Sequence, residues 1–197
     1  MAFKIIALVI LALFYGCYFS KMILQKKKGI QTDQIGKGKI GVVKAIECTM
    51  KVSTILAPIA EVVSIVFGTT LLPLWARCIG LVFGILGVVV FIIAVISMRD
   101  SWRAGVPSTD KTELVTCGVF GISRNPAFLG FDLVYIGVLL MFFNWILFAV
   151  SVFAIVMFHL QIVNVEEDFL LNAFGEEYSE YKKKVNRYLG RRRGGEK

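Results

Sequence analysis

The chain has 197 residues, of which 57% are hydrophobic, and it carries a formal net charge of +8 at pH 7. Its mean hydropathy of +0.74 excludes an ordinary water-soluble domain. A multi-histidine metal site is excluded because His159 is the only histidine, and the four scattered cysteines show no metal-ligand spacing. We therefore predict no metal site and interpret the cysteines as packing residues.

Five apolar segments predict five transmembrane helices, because roughly 20 helical residues cross a hydrocarbon core about 30 Å thick. These segments lie at roughly 3–23, 52–70, 73–97, 126–142 and 145–164. No alternation of short strands indicates a barrel, so the predicted fold is all-α and polytopic. The first segment is interpreted as a retained span, because Phe14 and Tyr15 stand where a cleaved signal peptide would have small residues.

The second span is the least typical of the five. Pro58 interrupts it, and Glu61 places a carboxyl group midway along it. Tight turns are predicted at Leu71-Leu72-Pro73 and at Asn144-Trp145. The second of these turns makes the last two spans an antiparallel helical hairpin.

The distribution of basic residues predicts the topology. Lysines and arginines concentrate between the first two spans, after the third span, and in the tail from Lys182. With five spans and an external N-terminus, all three regions lie in the cytoplasm, and the opposite side keeps only Lys4 and Arg77. An even number of spans would divide the basic regions between the two sides. We therefore predict the N-terminus outside, with the C-terminus and the candidate active site on the cytoplasmic side.

The tail is predicted to form an amphipathic helix on the cytoplasmic side. Its apolar residues recur mostly three or four positions apart: Phe169, Leu170, Phe174, Tyr178, Tyr181, Val185 and Tyr188. The runs Lys182–Lys184 and Arg191–Arg193 supply charge for anionic headgroups. Because this helix leads directly out of Glu166-Glu167, we expect it to fold back beneath the spans and cover a site. The whole chain, 1–197, is treated as one membrane-embedded domain, with the first three spans in 1–100 and the cofactor-binding loop, last two spans and tail in 101–197.

The polar loop from Ser108 to Arg124 ends in Arg124-Asn125-Pro126, where the fourth span begins. Asparagine is a favoured N-cap, and proline fits the first helical position. A helix N-terminus beside an arginine attracts an anionic group. The chain then crosses the membrane twice and returns with Glu166-Glu167. Opposite charges at two helix ends on one side predict a small zwitterionic ligand at the membrane edge.

Three strings of residues carry a family resemblance: Leu114–Phe120, then Ser123–Gly130, then Glu166-Glu167 with Phe174–Tyr178 and Tyr181. In this order, with a hairpin between the second and third, they resemble the isoprenylcysteine carboxyl methyltransferases and the related phospholipid methyltransferases. Those are integral membrane enzymes that use S-adenosylmethionine. The resemblance covers about Thr112 to Tyr188. The chain departs from the family pattern in having Asn125 in place of histidine, and Phe120 and Phe128 in place of tyrosines.

The resemblance implies a site for S-adenosylmethionine, whose product is S-adenosylhomocysteine. Arg124 and the helix start would hold the carboxylate of the cofactor, and Glu166 or Glu167 its amino group or ribose hydroxyls. Apolar residues would form the adenine walls. The candidate cofactor-binding residues are Thr112, Glu113, Leu114, Val115, Gly118, Phe120, Arg124, Asn125, Pro126, Ala127, Phe128, Leu129, Glu166 and Glu167.

Arg124 and Glu167 are the candidate catalytic residues. Many family members have an arginine just before the paired glutamates, whereas this chain has Val163-Asn164-Val165. Asn164 and Arg187 are therefore the candidates for contact with the substrate. Glu167 is also the candidate proton acceptor if the substrate is an amine.

The resemblance implies methyl esterification of the C-terminal carboxylate of a prenylated cysteine that enters from the bilayer. Membrane lipid is the other expected partner, and no nucleic acid is expected. The alternatives are an N- or O-methyltransferase of phospholipid or another small lipid, a nicotinamide-dependent membrane reductase, and a non-enzymatic membrane protein. Four polar residues within the spans would either line the lipid path or join helices by hydrogen bonds: Glu61, Asp132, His159 and Gln161.

Overall fold

The structure is a computed structural model that describes residues 1–106 and 113–191. Within these ranges the protein is all-helical, as predicted, and its only strand-like features are two isolated bridges. The helices are α1 (Ala2–Lys27), α2 (Gly41–Phe67), α3 (Leu74–Met98), α4 (Pro126–Met141), α5 (Trp145–Gln161) and α6 (Glu167–Lys184). Short 3-10 helices occupy Arg99–Ser101 and Gly118–Gly121, and one π-helical turn, Ile162–Glu166, joins α5 to α6.

Five apolar helices stand where the sequence predicts five spans, so the polytopic all-α fold is confirmed. Four helical stretches, which contain α1, α2, α3 and α5, are long and apolar enough to cross a membrane by length and composition. The apolar helix α4 is shorter, with 16 residues. That α4 also crosses, and that the N-terminus lies outside, stay predictions.

Helix α2 begins at Gly41, well before the predicted start of the second span at 52. Its first turns carry Lys44, Glu47 and Lys51. Because these residues are charged, hydropathy does not indicate where the helix begins. Pro58 lies inside α2 without ending it. This helix therefore extends beyond its apolar part and carries Glu47 toward the end of α5.

Helices α3 and α4 pack against each other through glycines. A methyl carbon added at Gly80 would lie 2.5 Å from the carbonyl oxygen of Gly137, and one added at Gly87 would lie 2.8 Å from that of Gly130. Small residues let helix backbones approach closely inside a membrane. This contact fixes the start of α4, and with it the Arg124-Asn125-Pro126 segment, against the end of α3.

The tail turns back against the segment that precedes α4. Helix α6 is kinked at Gly175, which has a φ of 50°. After α6 the chain reverses through a bridge between Val185 and Arg191, and the Gly190 N–H donates to the carbonyl oxygen of Ile122. The tail segment 185–191 thus packs beside the N-terminus of α4, while Arg192 and Arg193 lie outside the described residues.

Candidate functional site

Glu167 lies at the centre of a cluster of three basic side chains. Its Oε1 is 3.2 Å from Arg124 Nη2 and 2.6 Å from Arg187 Nε. Its Oε2 is 3.0 Å from Lys182 Nζ and 3.2 Å from Arg187 Nη2. We call Arg124, Glu167, Lys182 and Arg187 the Glu167 cluster. It joins the start of α4, the start and end of α6, and the tail, and it holds more positive than negative charge.

Arg124 is the buried member among the three cations. Its side chain is 5% exposed, compared with 46% for Lys182 and 32% for Arg187. Nη1 donates to the Tyr178 hydroxyl at 2.8 Å, and the guanidinium lies 5.8 Å from the centroid of that ring. The buried Nε has no hydrogen-bond partner among the described residues. Arg124 therefore keeps one enclosed donor available for a further acceptor.

The carboxyl group of Glu167 is held in its ionised form. Burial acts to raise its pKa, but hydrogen bonds from Arg187 and Lys182 and the charge of Arg124 outweigh burial and lower the pKa to about 2. Glu167 is thus a fixed negative charge at neutral pH. Sequence reasoning placed the opposite charges on two sides of a ligand, whereas the structure pairs Arg124 and Glu167 directly.

Asn125 occupies the N-cap position of α4, but its side chain does not cap the helix. This corrects the sequence prediction. The backbone of Asn125, with φ −131° and ψ 54°, lies outside the extended region usual for a capping residue. Its amide nitrogen instead donates to the carbonyl oxygen of Arg187 at 3.1 Å, and Ser123 Oγ donates to the same oxygen at 3.4 Å. Pro126 takes the first helical position, as predicted.

The two adjacent glutamates face different surroundings. Consecutive helical residues point about 100° apart, so Glu166 does not join Glu167 among the three cations. Glu166 is half-buried, its carboxyl group lies beside the side chain of Gln161, and it is within electrostatic range of Glu47 and Lys39. Burial raises its pKa to about 7; hydrogen bonding from the Gln161 side chain acts to lower the pKa, the charge of Glu47 to raise it and the charge of Lys39 to lower it, each less than burial does. The pair predicted to serve one ligand is therefore divided between two sites.

The predicted apolar wall is also divided. Leu114, Val115 and Phe120 pack in one cluster with Tyr178 and Tyr181 next to Arg124. The Tyr181 hydroxyl donates to the carbonyl oxygen of Phe120 at 2.6 Å. This cluster gives the Arg124 side of the site an apolar surface of the kind that could contact an adenine ring.

Phe128 faces the other way. Its ring centroid lies 5.3 Å from that of Phe158, and with Ala127 it lines a cavity on the far side of α4. Leu129 is half-buried, and its N–H donates to the carbonyl oxygen of Asn125 at 3.0 Å.

The remaining candidates lie apart from the cluster or outside the described residues. Glu113 and Gly118 are exposed, and the Glu113 N–H donates to Ser101 Oγ at 3.1 Å. Asn164 is exposed on the π-helical turn and donates its amide to the carbonyl oxygen of Leu160 at 2.9 Å. Thr112 lies outside the described residues.

Sequence reasoning assigned no site role to Tyr178 or Lys182. The sequence predicts Tyr178 as part of an apolar helix face and Lys182 as one charge of a lysine run for lipid headgroups. The signal for Tyr178 was its place in the third family string, because a tyrosine in a helix face brings a hydroxyl as well as a ring. Nothing in the run of three lysines distinguished Lys182 from the other two.

A cavity of about 590 Å³ lies between α1, α2, α4 and α5. Its walls are mainly apolar and aromatic, with Tyr18, Phe128 and Phe158 among them, and its polar residues include Asp33 and Lys51, which form an ion pair at 2.7 Å. The four polar span residues do not line it. His159 instead contacts Tyr188, with Nδ1 2.7 Å from the hydroxyl oxygen. Glu61 is fully buried, and both its carboxyl oxygens lack a hydrogen-bond partner among the described residues.

Comparison with known proteins places these features in a family. A family model described as phospholipid methyltransferase matches residues 75–177, which is just over half of the chain. The matched range runs from α3 into α6 and contains Arg124, Glu166 and Glu167.

Several relatives are named protein-S-isoprenylcysteine O-methyltransferase. The chain is 39% identical over 72 residues to the one from Saccharomyces cerevisiae, covering 36% of this chain and 30% of that protein. It is 30% identical over 137 residues to the one from Xenopus laevis, covering 66% and 48%. A probable protein-S-isoprenylcysteine O-methyltransferase from Oryza sativa subsp. indica is 31% identical over 110 residues, covering 55% and 58%. The chain spans less than three fifths of the length of each of these relatives. Since the family model covers more than half of it, the chain belongs to the phospholipid methyltransferase family.

Proposed function

We propose that this protein is an S-adenosylmethionine-dependent methyltransferase that forms the methyl ester of the C-terminal carboxylate of an isoprenylcysteine-type substrate. The observation that carries the proposal is the Glu167 cluster, a buried carboxylate held by three cations within the stretch that matches the family. Its surplus of positive charge suits two anionic groups, one on the cofactor and one on the acceptor. The names of the relatives supply the substrate class.

The residues present fit the cofactor. The unpartnered Nε of Arg124 is an enclosed donor suited to a carboxylate, and Glu167 is an ionised acceptor suited to an amino group. Leu114, Val115 and Phe120 offer an apolar surface beside them. When bound, S-adenosylmethionine supplies a methyl group activated by its sulfonium.

Glu167 needs to exchange one of its cations to receive an amino group, because each of its oxygens already has two basic neighbours. Lys182 is the most exposed of the three cations, so it loses the least by returning to water. Arg124 is nearly enclosed and stays in place. We therefore propose that Lys182 leaves Glu167 when the cofactor binds. Arg124 stays in place and donates a hydrogen bond to the carboxylate of the cofactor, and Arg187 is the cation nearest to the methyl acceptor.

The charge state of Glu167 favours a carboxylate acceptor over an amine acceptor at this cluster. A carboxylate with a pKa of about 3.5 is already ionised at neutral pH and needs no general base. With a pKa of about 2, Glu167 is a poor proton acceptor at pH 7 and does not suit the role of general base. Its work is to hold the two arginines so that two anionic groups meet in a fixed orientation.

The cavity between α1, α2, α4 and α5 suits the lipid chain of the acceptor. Its volume of about 590 Å³ and its aromatic walls match an apolar chain better than a polar ligand. Phe128, one turn into α4 from Arg124, lines it. A chain lying there would reach the start of α4 with its polar end. We infer that the acceptor enters this cavity from the bilayer, because its lipid chain partitions there.

A second candidate is an N-methyltransferase of a small lipid. The family model bears the description phospholipid methyltransferase, and Glu166, with its pKa raised to about 7, has the acidity expected of a proton acceptor that works near neutral pH.

Incubation with methyl-labelled S-adenosylmethionine separates the two candidates. The purified protein is given N-acetyl-S-farnesylcysteine or, separately, total lipids, and the product is treated with alkali. We expect the farnesylcysteine sample to release volatile labelled methanol, which identifies a methyl ester. Alkali-stable label in lipid would move the assignment to an N-methyltransferase, and the absence of transfer to either acceptor would contradict the proposal.

A further inference from the structure

Two apolar clusters border the two parts of the proposed acceptor site. The main core includes residues that line the cavity between α1, α2, α4 and α5, among them Phe91, Trp102 and Phe158. A second cluster lies beside Arg124, whose Nη1 donates to the Tyr178 hydroxyl. We call the buried members of this second cluster the tyrosine cluster: Ala94, Phe120, Tyr178, Tyr181 and Val185. An acceptor with its chain in the cavity and its carboxylate at the Glu167 cluster has to extend from the main core to the tyrosine cluster.

Met98 and Ala127 pack against both the main core and the tyrosine cluster. Each of the two is partly buried, and Ala127 also lines the cavity directly. Neighbouring residues lie on one side of this boundary, because Leu114 packs against the tyrosine cluster and Phe128 against the main core. The side chains of Met98 and Ala127 therefore stand where the cavity and the proposed cofactor site adjoin.

The packing of α3 on α4 holds Met98 and Ala127 at one end of the contact between these helices. Met98 is the last residue of α3, and Ala127 is the second residue of α4. A methyl carbon added at Gly130, one turn after Ala127, would lie 2.8 Å from Cβ of Phe91. Met98 follows Phe91 by two turns and follows Ala94, of the tyrosine cluster, by one turn. The close backbone contact therefore fixes the two helix ends that carry these side chains.

An alanine and a methionine make a boundary that can open without movement of the backbone. Methionine is unbranched, and its rotatable bonds let it fill a gap or leave it. Alanine extends one carbon from the backbone, whereas Phe128 and Phe131, which also line the cavity from α4, carry bulky rings. Among these α4 residues of the cavity wall, Ala127 therefore obstructs a passing chain the least.

We propose that Met98 and Ala127 form a gate between the cavity and the cofactor site, through which the thioether end of the acceptor reaches the Glu167 cluster. This inference rests on the proposed function, because it names the point at which the same acceptor passes from its lipid surroundings to the cofactor. Met98 and Ala127 are positioning residues: their side chains border the thioether and not the reacting oxygen. The size of the side chain at position 127 then controls transfer to an acceptor whose chain occupies the cavity.

Ala127→Leu tests the gate, because it adds bulk at the boundary and leaves the charges of the Glu167 cluster unchanged. We expect the kcat/KM for N-acetyl-S-farnesylcysteine to fall about a hundredfold, since a displaced acceptor loses the alignment that methyl transfer needs. The affinity for S-adenosylhomocysteine, measured by calorimetry, should match that of the wild type. Ala12→Leu is the matched control, because Ala12 is exposed on α1, and it should keep the wild-type kcat/KM.

A double variant tests whether the two side chains border the same opening. Met98→Ala, added to Ala127→Leu, gives the leucine the space that the methionine occupied. We expect the double variant to recover about tenfold of the lost kcat/KM, since side chains that share one space have strongly non-additive effects. If Ala127→Leu fails to bind S-adenosylhomocysteine, Ala127→Val takes its place as the smaller change.

Three results would count against the gate. A wild-type kcat/KM in Ala127→Leu would overturn it. Loss of S-adenosylhomocysteine binding in both Ala127→Leu and Ala127→Val would overturn it too, because Ala127 would then belong to the cofactor site. A double variant as impaired as Ala127→Leu alone would show that Met98 and Ala127 do not share one opening.

Failure of the gate and failure of the proposed function give different results. If the wild type forms no ester, the proposed function fails, and the gate is tested by the affinity for N-acetyl-S-farnesylcysteine, measured by calorimetry in micelles. Ala127→Leu should bind this acceptor about tenfold more weakly than the wild type, because the carboxylate loses its charge-assisted hydrogen bonds at the Glu167 cluster. Equal affinities of the two proteins would overturn the gate independently of methyl transfer.

Discussion

The neighbouring residues Glu166 and Glu167 have opposite acid strengths because the helix turns them into different surroundings. Glu167 has three cations within 3.2 Å, and its pKa falls to about 2. For Glu166, burial dominates and raises the pKa to about 7. The two carboxyl groups therefore affect stability over different ranges of pH.

Glu166→Gln is expected to change the pH dependence of stability. Burial raises the folded-state pKa of Glu166 above its ordinary value of 4.5, so the folded state keeps a proton that the unfolded state has lost. The Glu166 carboxyl therefore destabilises the fold increasingly as pH rises from about 4.5 to about 7. The variant, compared with the wild type, should gain up to about 3 kcal/mol over that window. Unfolding midpoints in micelles at pH 5 and pH 8 measure the gain.

The stabilisation from Glu167 is present above its ordinary pKa of 4.5 and is lost as pH falls toward 2. Both proteins share this loss, so it cancels in the comparison. A difference between variant and wild type that is the same at pH 5 and pH 8 would show that burial does not govern Glu166.

Lys182→Met is expected to tighten the binding of S-adenosylhomocysteine or leave it unchanged. Lys182 is half-exposed and, in our account, competes with the amino group of the cofactor for Glu167 Oε2. Removing it leaves Glu167 still paired with both arginines. Calorimetry with Lys183→Met as the matched control measures this, because Lys183 pairs with Glu180 at 2.6 Å and stands apart from Glu167. A tenfold loss of affinity in Lys182→Met alone would mean that Lys182 itself binds the cofactor.

At the scale of the helices, the backbones of α3 and α4 pack so closely that a glycine between them leaves no space for a larger side chain. A methyl carbon at Gly137 would lie 2.6 Å from the backbone nitrogen of Gly84 and 2.7 Å from the carbonyl oxygen of Gly80. Backbone atoms cannot move aside as a flexible side chain can, so the two helices would have to separate.

Gly137→Ala should therefore destabilise the protein by roughly 1–3 kcal/mol and also weaken S-adenosylhomocysteine binding, because α4 carries Arg124 at its start. Gly16→Ala in α1 is the control, since a methyl carbon there meets nothing within 4 Å. That variant should be as stable as the wild type or slightly more stable, given the higher helix propensity of alanine. Equal thermal midpoints for the two variants would contradict the close packing of α3 on α4.

The sequence indicated the apolar helices well and their polar ends poorly. Long apolar runs identify α1, α3, α4 and α5 because their composition alone meets the needs of a bilayer. The charged first turns of α2 carry no such signal. The kink at Gly175 was not predicted either, since a glycine in a helical pattern is compatible with a straight helix.

The sequence predicts which residues form the candidate site better than it predicts which contacts those residues make. Arg124, Glu167 and Arg187 could be singled out from the sequence, and the structure brings them together. That Asn125 would bind the tail in place of capping α4 depends on its backbone angles, which no motif specifies. That Glu47 comes within electrostatic range of Glu166 depends on how α2 packs against α5, and residues so far apart in the chain leave no local pattern.

For the whole molecule, the apolar cavity between α1, α2, α4 and α5 and the Glu167 cluster both involve the beginning of α4, through Phe128 and Arg124 respectively. In our proposal, the acceptor is amphiphilic, with its chain in the cavity and its carboxylate at the Glu167 cluster. That residues 1–197 act as one domain, with the site on the cytoplasmic side, stays a prediction. The predicted sidedness rests on the positions of the three basic regions in the sequence, which five spans with an external N-terminus would put on one side.

Binding of S-adenosylhomocysteine to wild type and to Arg124→Gln, measured by calorimetry in micelles, tests the central claim most directly. Arg124→Gln leaves Glu167 paired with Lys182 and Arg187, so the fold should persist. We predict that the wild type binds and that the variant loses at least about thirtyfold in affinity, as expected when a buried charged partner is removed. Lys26→Gln, at an exposed position near the end of α1, should bind like the wild type. Equal affinity in Arg124→Gln and wild type, or no binding by the wild type, would contradict the assignment of the Glu167 cluster as the cofactor site.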